Sequence, residues 1–256
     1  MYQGTKTINS GLPRCWHVKS ENNLVEIFQF FEILGNDMKK LFTAIRKSDL
    51  EEVKRIIDKD ISLVNCVAKQ PPKKDDGQSP LQVSIKSGNF EIAKYLIEKG
   101  ADINFMEDES SANEWRIPVV QDAINAAVMC SRWNINDSPM GFVEFSNKEK
   151  ADSAFEILSI LLDKGADVNK LDSYGNSSLW RFCLQADQVL PSFNYAEQIE
   201  LNDRVFTEEL HTDLKRILMA LKEAGADIDY VSPNTNRSPK EFYVTGSLSV
   251  LLNEVF

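Results

Sequence analysis

The sequence predicts an all-α solenoid of about five stacked helix-pair units joined by projecting turns. Three observations predict it. One phrase occurs three times, as Gly100-Ala-Asp-Ile-Asn104, Gly165-Ala-Asp-Val-Asn169 and Gly225-Ala-Asp-Ile-Asp229. Each copy ends an amphipathic helical stretch, over 92–99, 157–164 and 217–224. In each copy the Gly stands where a left-handed helix cap belongs. A recurring helix, Gly cap, small residue and acid describe units of an array. They move the functional question from catalysis to surface recognition.

Composition narrows the function. The chain has 256 residues, a net charge of −10 and a pI of about 4.9. A basic face is what nonspecific nucleic-acid binding needs, so no nucleic-acid partner is expected. The acidity suits a basic protein partner, and also plain solubility. Cys15, Cys66, Cys130 and Cys183 stand far apart with no CxxC spacing. They read as reduced, partly buried thiols of a cytoplasmic protein, without structural zinc. No run of eighteen apolar residues and no signal-peptide plan is present, so no membrane role is expected.

The elements follow in order. Residues 1–37 form a leader without repeat character, in which Leu24, Ile27, Phe28, Phe31 and Leu34 could make one apolar helix. The leader reads either as sequence upstream of a wrongly assigned start codon or as a cap on the first repeat. A repeat domain spans 38–256. Its first unit, 38–67, has one helix marked by Leu41, Ala44 and Ile45 and a second by Leu50, Val53, Ile56 and Ile57, with Ser48-Asp49 between them. The second unit, 76–106, opens with Asp76-Gly-Gln-Ser-Pro-Leu81. Ser79 is its expected N-cap and Pro80 its first helical residue. Gly88-Asn89-Phe90 is its turn, and Phe90, Ile92, Ala93, Leu96 and Ile97 its second apolar stripe.

These residues resemble the ankyrin repeat, whose unit opens D-x-x-G-x-T-P-L-H-x-A and closes G-A-D-V-N. Asp76 through Asn104 matches over a full unit, with Ser79 for Thr and Gln82 for His. The resemblance covers about 38–256. It implies a rigid, non-catalytic surface of inner helices and projecting turns that grips another protein. The finer likeness is to short stand-alone bacterial proteins of this family, carried by Met38-Lys-Lys-Leu-Phe42, Gln121-Asp-Ala-Ile124 and Asp172-Ser-Tyr-Gly-Asn176.

The later units depart from the pattern. In units 115–170 and 172–230 the closing Gly, Gly165 and Gly225, falls twenty-seven residues late. Both insertions lie between the two helices of a unit. They are expected to lengthen the helix pairs over Met129–Trp133 with Asn147–Phe155, and over Gln188–Leu190 with Ala196–Leu214, and to pack together. Two unrelated surface loops are the alternative. A capping unit, 233–256, reopens at Asn236-Arg-Ser-Pro239 and ends in a short helix. Two adjacent turns, 69–76 and 105–115, are five to six residues longer than the family's turn.

Catalytic machinery is not expected. Only His17 and His211 occur, and no nucleophile, zinc or phosphate-loop motif is present. No catalytic residue, cofactor or metal site is assigned, and the chain reads as a non-enzyme. Glu107, Asp108 and Glu109 are expected on an exposed turn, where burial cannot tune them. Binding is expected in two patches: Phe105, Glu107, Asp108, Glu109 and Trp115, then Tyr174, Trp180 and Arg181. Trp, Tyr and Arg are common interface hot spots. Trp133 and Trp180 read equally well as filler between lengthened helices. The function expected is binding of one partner by a protein that is monomeric when free. The resemblance allows an immunity protein that neutralises a basic toxin domain, and equally a general scaffold or adaptor.

Overall fold

The computed structural model describes residues 35–137 and 140–256. The leader helix through Leu24–Leu34, Cys15 and His17 lie outside the described residues. Met38–Phe256 forms one compact unit. Helix α1, described over residues 35–46, leads through a turn at Ser48 (φ 58°) into α2, Leu50–Lys59. The Asp49 carboxylate caps α2 by accepting the Glu52 N–H at 3.0 Å.

The next helix pair is α3, Pro80–Lys86, and α4, Phe90–Glu98. Ser79 and Gln82 form a reciprocal capping box with Pro80 just inside the helix. The five apolar residues expected to face inward from α4 are all buried. Two larger pairs follow: α5, Val119–Met129, with α6, Lys148–Asp163, and α7, Ser178–Ala186, with α8, Glu208–Glu223. The chain closes with α9, Pro239–Phe242, and α10, Gly246–Val255. Helices α3, α5 and α7 pack side by side as one layer, and α4, α6 and α8 pair with them as a second. Helix α9 contacts α7, and α10 contacts α8. Leu248, Leu251, Leu252 and Val255 of α10 are buried, as a cap over the last unit requires.

The repeated phrase has one physical explanation. Gly100, Gly165 and Gly225 all have positive φ, between 83° and 90°. That conformation lets the following Ala N–H donate back to Leu96, Leu161 and Leu221 carbonyls, each at 2.9 Å. The Asp two residues after each Gly accepts the N–H two positions on, at Asn104, Asn169 and Asp229. The closing Asn then reaches the next unit. Asn65 bonds Gly100 O and Asp102 N, Asn104 bonds Asp167 N, and Asn169 bonds Gly225 O and Asp227 N.

The insertions differ from expectation in form. Each contributes a hairpin, not two lengthened helices. Strands β1, Asn134–Asp137, and β2, Gly141–Glu144, pair antiparallel with Ile135 opposite Val143. Strands β3, Phe193–Asn194, and β4, Ile199–Glu200, pair likewise. Helix α5 stops at Met129, and α8 begins only at Glu208. The extra helical turns fall at the starts of α6 and α8, which are 16 residues each against 9 for α4. The expected mutual packing is present. Asn136 N–H donates to Asp203 O at 2.8 Å, and the Asn134 side chain bonds both Val205 N and Val205 O. Below them Arg132 Nε meets the buried Asp213 at 2.9 Å.

Candidate functional site

The projecting turns are tied to one another along the array. Asp76 sets the first junction. Its carboxylate accepts the Gln70 and Ala112 N–H groups, and its carbonyl accepts the Ser111 hydroxyl. The Ala112 bond leads the causes that hold the Asp76 carboxyl below its ordinary pKa. Gly77 (φ 82°) is required here twice over: a Cβ would also stand 2.6 Å from Ser111. The Asn113 amide donates to the carbonyls of Lys73 and Asp76. The two long turns therefore interlock.

A second junction joins the next turns. Arg116 N–H donates to Ser173 Oγ at 3.0 Å, and Ser173 N–H donates to Arg116 O at 3.0 Å. Trp115 Nε1 donates to Asp172 Oδ2 at 3.3 Å. Arg181, on α7, pairs with the same oxygen at 2.6 Å, and its guanidinium lies 4.6 Å from the Trp115 ring centroid. Burial would raise the Asp172 carboxyl. The Asn176 N–H, the Asn176 amide and Arg181 outweigh it and hold the group below its ordinary range. The structure thus brings Trp115 and Arg181, expected in separate patches, into one cluster built on Asp172. The cue for Asp172 was its place at the head of the D-x-x-G opening. A third junction has Tyr230 OH donating to Gly175 O at 2.8 Å and Asn234 to Tyr174 O.

The remaining expected residues divide by exposure. Trp115 is 41% exposed and Tyr174 51%. Asp108 and Glu109 are exposed, and Phe105 is half-buried. Asp108 accepts the Ser110 hydroxyl and N–H, which lower its pKa. Glu107 corrects the expectation of an exposed turn residue. It is 3% exposed, and its Oε2 accepts the Ile117 N–H at 3.0 Å. The turn folds Glu107 inward because the backbone entering α5 needs an acceptor there. Trp180 takes the filler role. It is buried, donates to Tyr230 O, and packs edge-on against Phe242 of the capping unit at 5.4 Å. Arg181 is buried too, so its part is to hold Asp172 and Trp115.

Between α3 and α5 lies a pocket of about 400 Å³, lined among others by Lys86, Trp115, Asp122, Asn125 and Met129. Asp122 is 2% exposed. Burial raises its carboxyl to about 7, against the pull of Lys86, whose Nζ is 4.0 Å from Oδ1. The available signal was a single acid inside the apolar run from Val119 to Val128.

Other reactive groups are quiet. His211 Nε2 lies 2.9 Å from Glu254, which also takes Lys215, and so ties α8 to α10. Cys66, Cys130 and Cys183 are free, and burial raises all three thiols, Cys66 to about 12. Among the described residues no cluster of His, Cys, Asp and Glu could hold a metal ion. None of the described helices is long and apolar enough to cross a membrane.

Comparison with known proteins agrees with this architecture. A family model of ankyrin repeats (3 copies) matches residues 16–107. A curated protein of Rickettsia bellii (strain RML369-C), whose name assigns it ankyrin repeats, is 26% identical over 176 residues. The match takes in 67% of this chain and 24% of the relative, so the chain spans about a quarter of that relative's length. Ankyrin repeats form a protein-interaction fold. With its capped helix pairs, Gly-Ala-Asp closures and interlocked turns, the chain folds as an all-α solenoid similar to that of ankyrin-repeat proteins.

Proposed function

We propose that the chain recognises one partner protein through its projecting turns and the layer of α3, α5 and α7. The observation that carries this reading is the junction of Trp115, Arg181 and Asp172. It joins two turns and a helix from neighbouring units into one preformed surface, with the indole partly in solvent. A surface held rigid before binding loses little entropy on binding. On this reading Phe105, Asp108, Glu109, Trp115 and Tyr174 make contacts. Arg181 holds Trp115 in place, while Glu107 and Trp180 support the face from beneath.

The narrower version makes the chain a cytoplasmic bacterial immunity protein, monomeric when free and neutralising a basic toxin domain. The net charge of −10 and the exposed Asp108 and Glu109 support a basic partner. Affinity purification of the full chain from its native cell, beside Trp115→Ala, tests both levels. One stoichiometric partner, lost with Trp115→Ala, is the expected result, and rescue from that partner's toxicity would follow. Several unrelated proteins, retained by the variant, would point to a scaffold and overturn the dedicated-partner reading.

A further inference from the structure

We propose that the pocket between α3 and α5 receives an arginine side chain of the partner protein. This rests on the recognition reading above and adds the chemistry of the ligand. The pocket's volume, about 400 Å³, suits a long side chain. Its lining from α5 is one helical stripe, Asp122, Asn125, Ala126 and Met129, at spacings of three and four. Among the described residues, two buried polar atoms of that stripe, Asp122 Oδ2 and Asn125 Oδ1, have no partner within hydrogen-bonding geometry; the Gln82 amide also acts on the Asp122 carboxyl but donates to Ile117 O. Both are oxygens. The pocket therefore wants donors, and two of them.

Alternative ligands fit less well. An apolar side chain would leave both oxygens unsatisfied. An anion would meet the Asp122 carboxyl and the nearby Glu107, whose charge also acts on Asp122. Lys86 and Lys150 line the rim and are exposed. Lys86 reaches only Oδ1, at 4.0 Å, the outer limit of an ion pair. An ammonium is a point charge, whereas a guanidinium presents a planar fork of donors that can meet two oxygens at once. Trp115 also lines the pocket, and an indole is a good stacking partner for a guanidinium. The chain already uses that pairing between Trp115 and Arg181.

The test is an NMR titration of the full chain with Nα-acetyl-arginine methylamide, beside its citrulline and lysine analogues. The indole N–H of Trp115 and the carboxyl carbon of Asp122 are followed. The arginine probe should shift both saturably. Citrulline, isosteric but uncharged, should bind at least tenfold more weakly, as should arginine on Asp122→Asn. Asn125→Ala removes the second oxygen at a half-buried position and should also weaken binding. With the probe saturating, the Asp122 carboxyl should titrate lower than before, because a cation favours its charged form. Absence of a saturable shift, or equal binding by citrulline or lysine, overturns the assignment. If Asp122→Asn and Asn125→Ala still capture the wild-type partner undiminished, this inference falls while the recognition reading stands.

Discussion

Asn169 grips the backbone of Asp227 in the next unit: its side-chain oxygen accepts the Asp227 N–H at 3.1 Å while its amide donates to Gly225 O at 2.9 Å. The last copy of the phrase ends in Asp229, whose N–H donates to Asp227 and whose side chain makes no such bridge among the described residues. Asn169→Ala should therefore lower stability by about 1–3 kcal/mol. Asp229→Ala should change it by less than about 0.5 kcal/mol. Urea denaturation of the two variants gives the comparison, and equal losses would deny the bridge its role.

Leu96 and Leu161 end α4 and α6 at full burial, and their carbonyls receive the Ala N–H of the cap. Truncation of either to Ala should cost about 2–5 kcal/mol. A melting temperature unchanged from wild type would contradict their core placement.

Glu107 and Glu109 sit two residues apart yet face opposite environments. Glu109→Lys and Asp108→Lys should weaken partner binding and leave the melting temperature close to wild type. Glu107→Lys should lower stability by about 2 kcal/mol or more, since it buries a charge and orphans the Ile117 N–H. Calorimetry on the three variants separates the two effects.

Asp122 should make stability depend on pH. Burial raises its folded carboxyl to about 7, whereas an unfolded aspartate titrates near ~3.9. Between these values the folded state keeps a proton that the unfolded state has lost. Its contribution is complete below about pH 4 and declines as pH rises to about 7, by up to about 4 kcal/mol. Asp122→Asn should flatten that slope. Denaturation curves collected from pH 4.5 to 8 would expose parallel behaviour if the carboxyl were not titrating.

Arg132 braces the inserted hairpins through Asp213, which it meets with Nε at 2.9 Å and with its main-chain N–H at 3.0 Å. Arg216 also reaches Asp213, at 3.1 Å. Arg132→Ala should cost about 3 kcal/mol by leaving a buried carboxylate short of cations. Amide exchange in β1 and β2 should quicken, and unchanged protection there would mean the hairpins stand without this pair.

The sequence by itself determined the helix pairs, their caps and the closing turns. Those features are local: a positive-φ Gly, a capping box and a 3.6-residue stripe each need only neighbours within one unit. Asn65 makes the same bridge to the next unit without a preceding Gly cap, through Gly100 O and Asp102 N. The tertiary structure decided the rest. The insertions read as lengthened helices because their apolar residues recur, but Asn134 and Asn136 satisfy backbone groups 71 and 66 residues away, and that pairing selects hairpins. Glu107 turned inward to serve the Ile117 N–H, a demand set by how the turn enters α5. Trp115, Asp172 and Arg181 came together only when two turns and α7 stacked, and Asp122 became a pocket wall only when α3 packed beside α5. Contacts between units depend on backbone geometry summed over many residues, which no single spacing in the chain encodes.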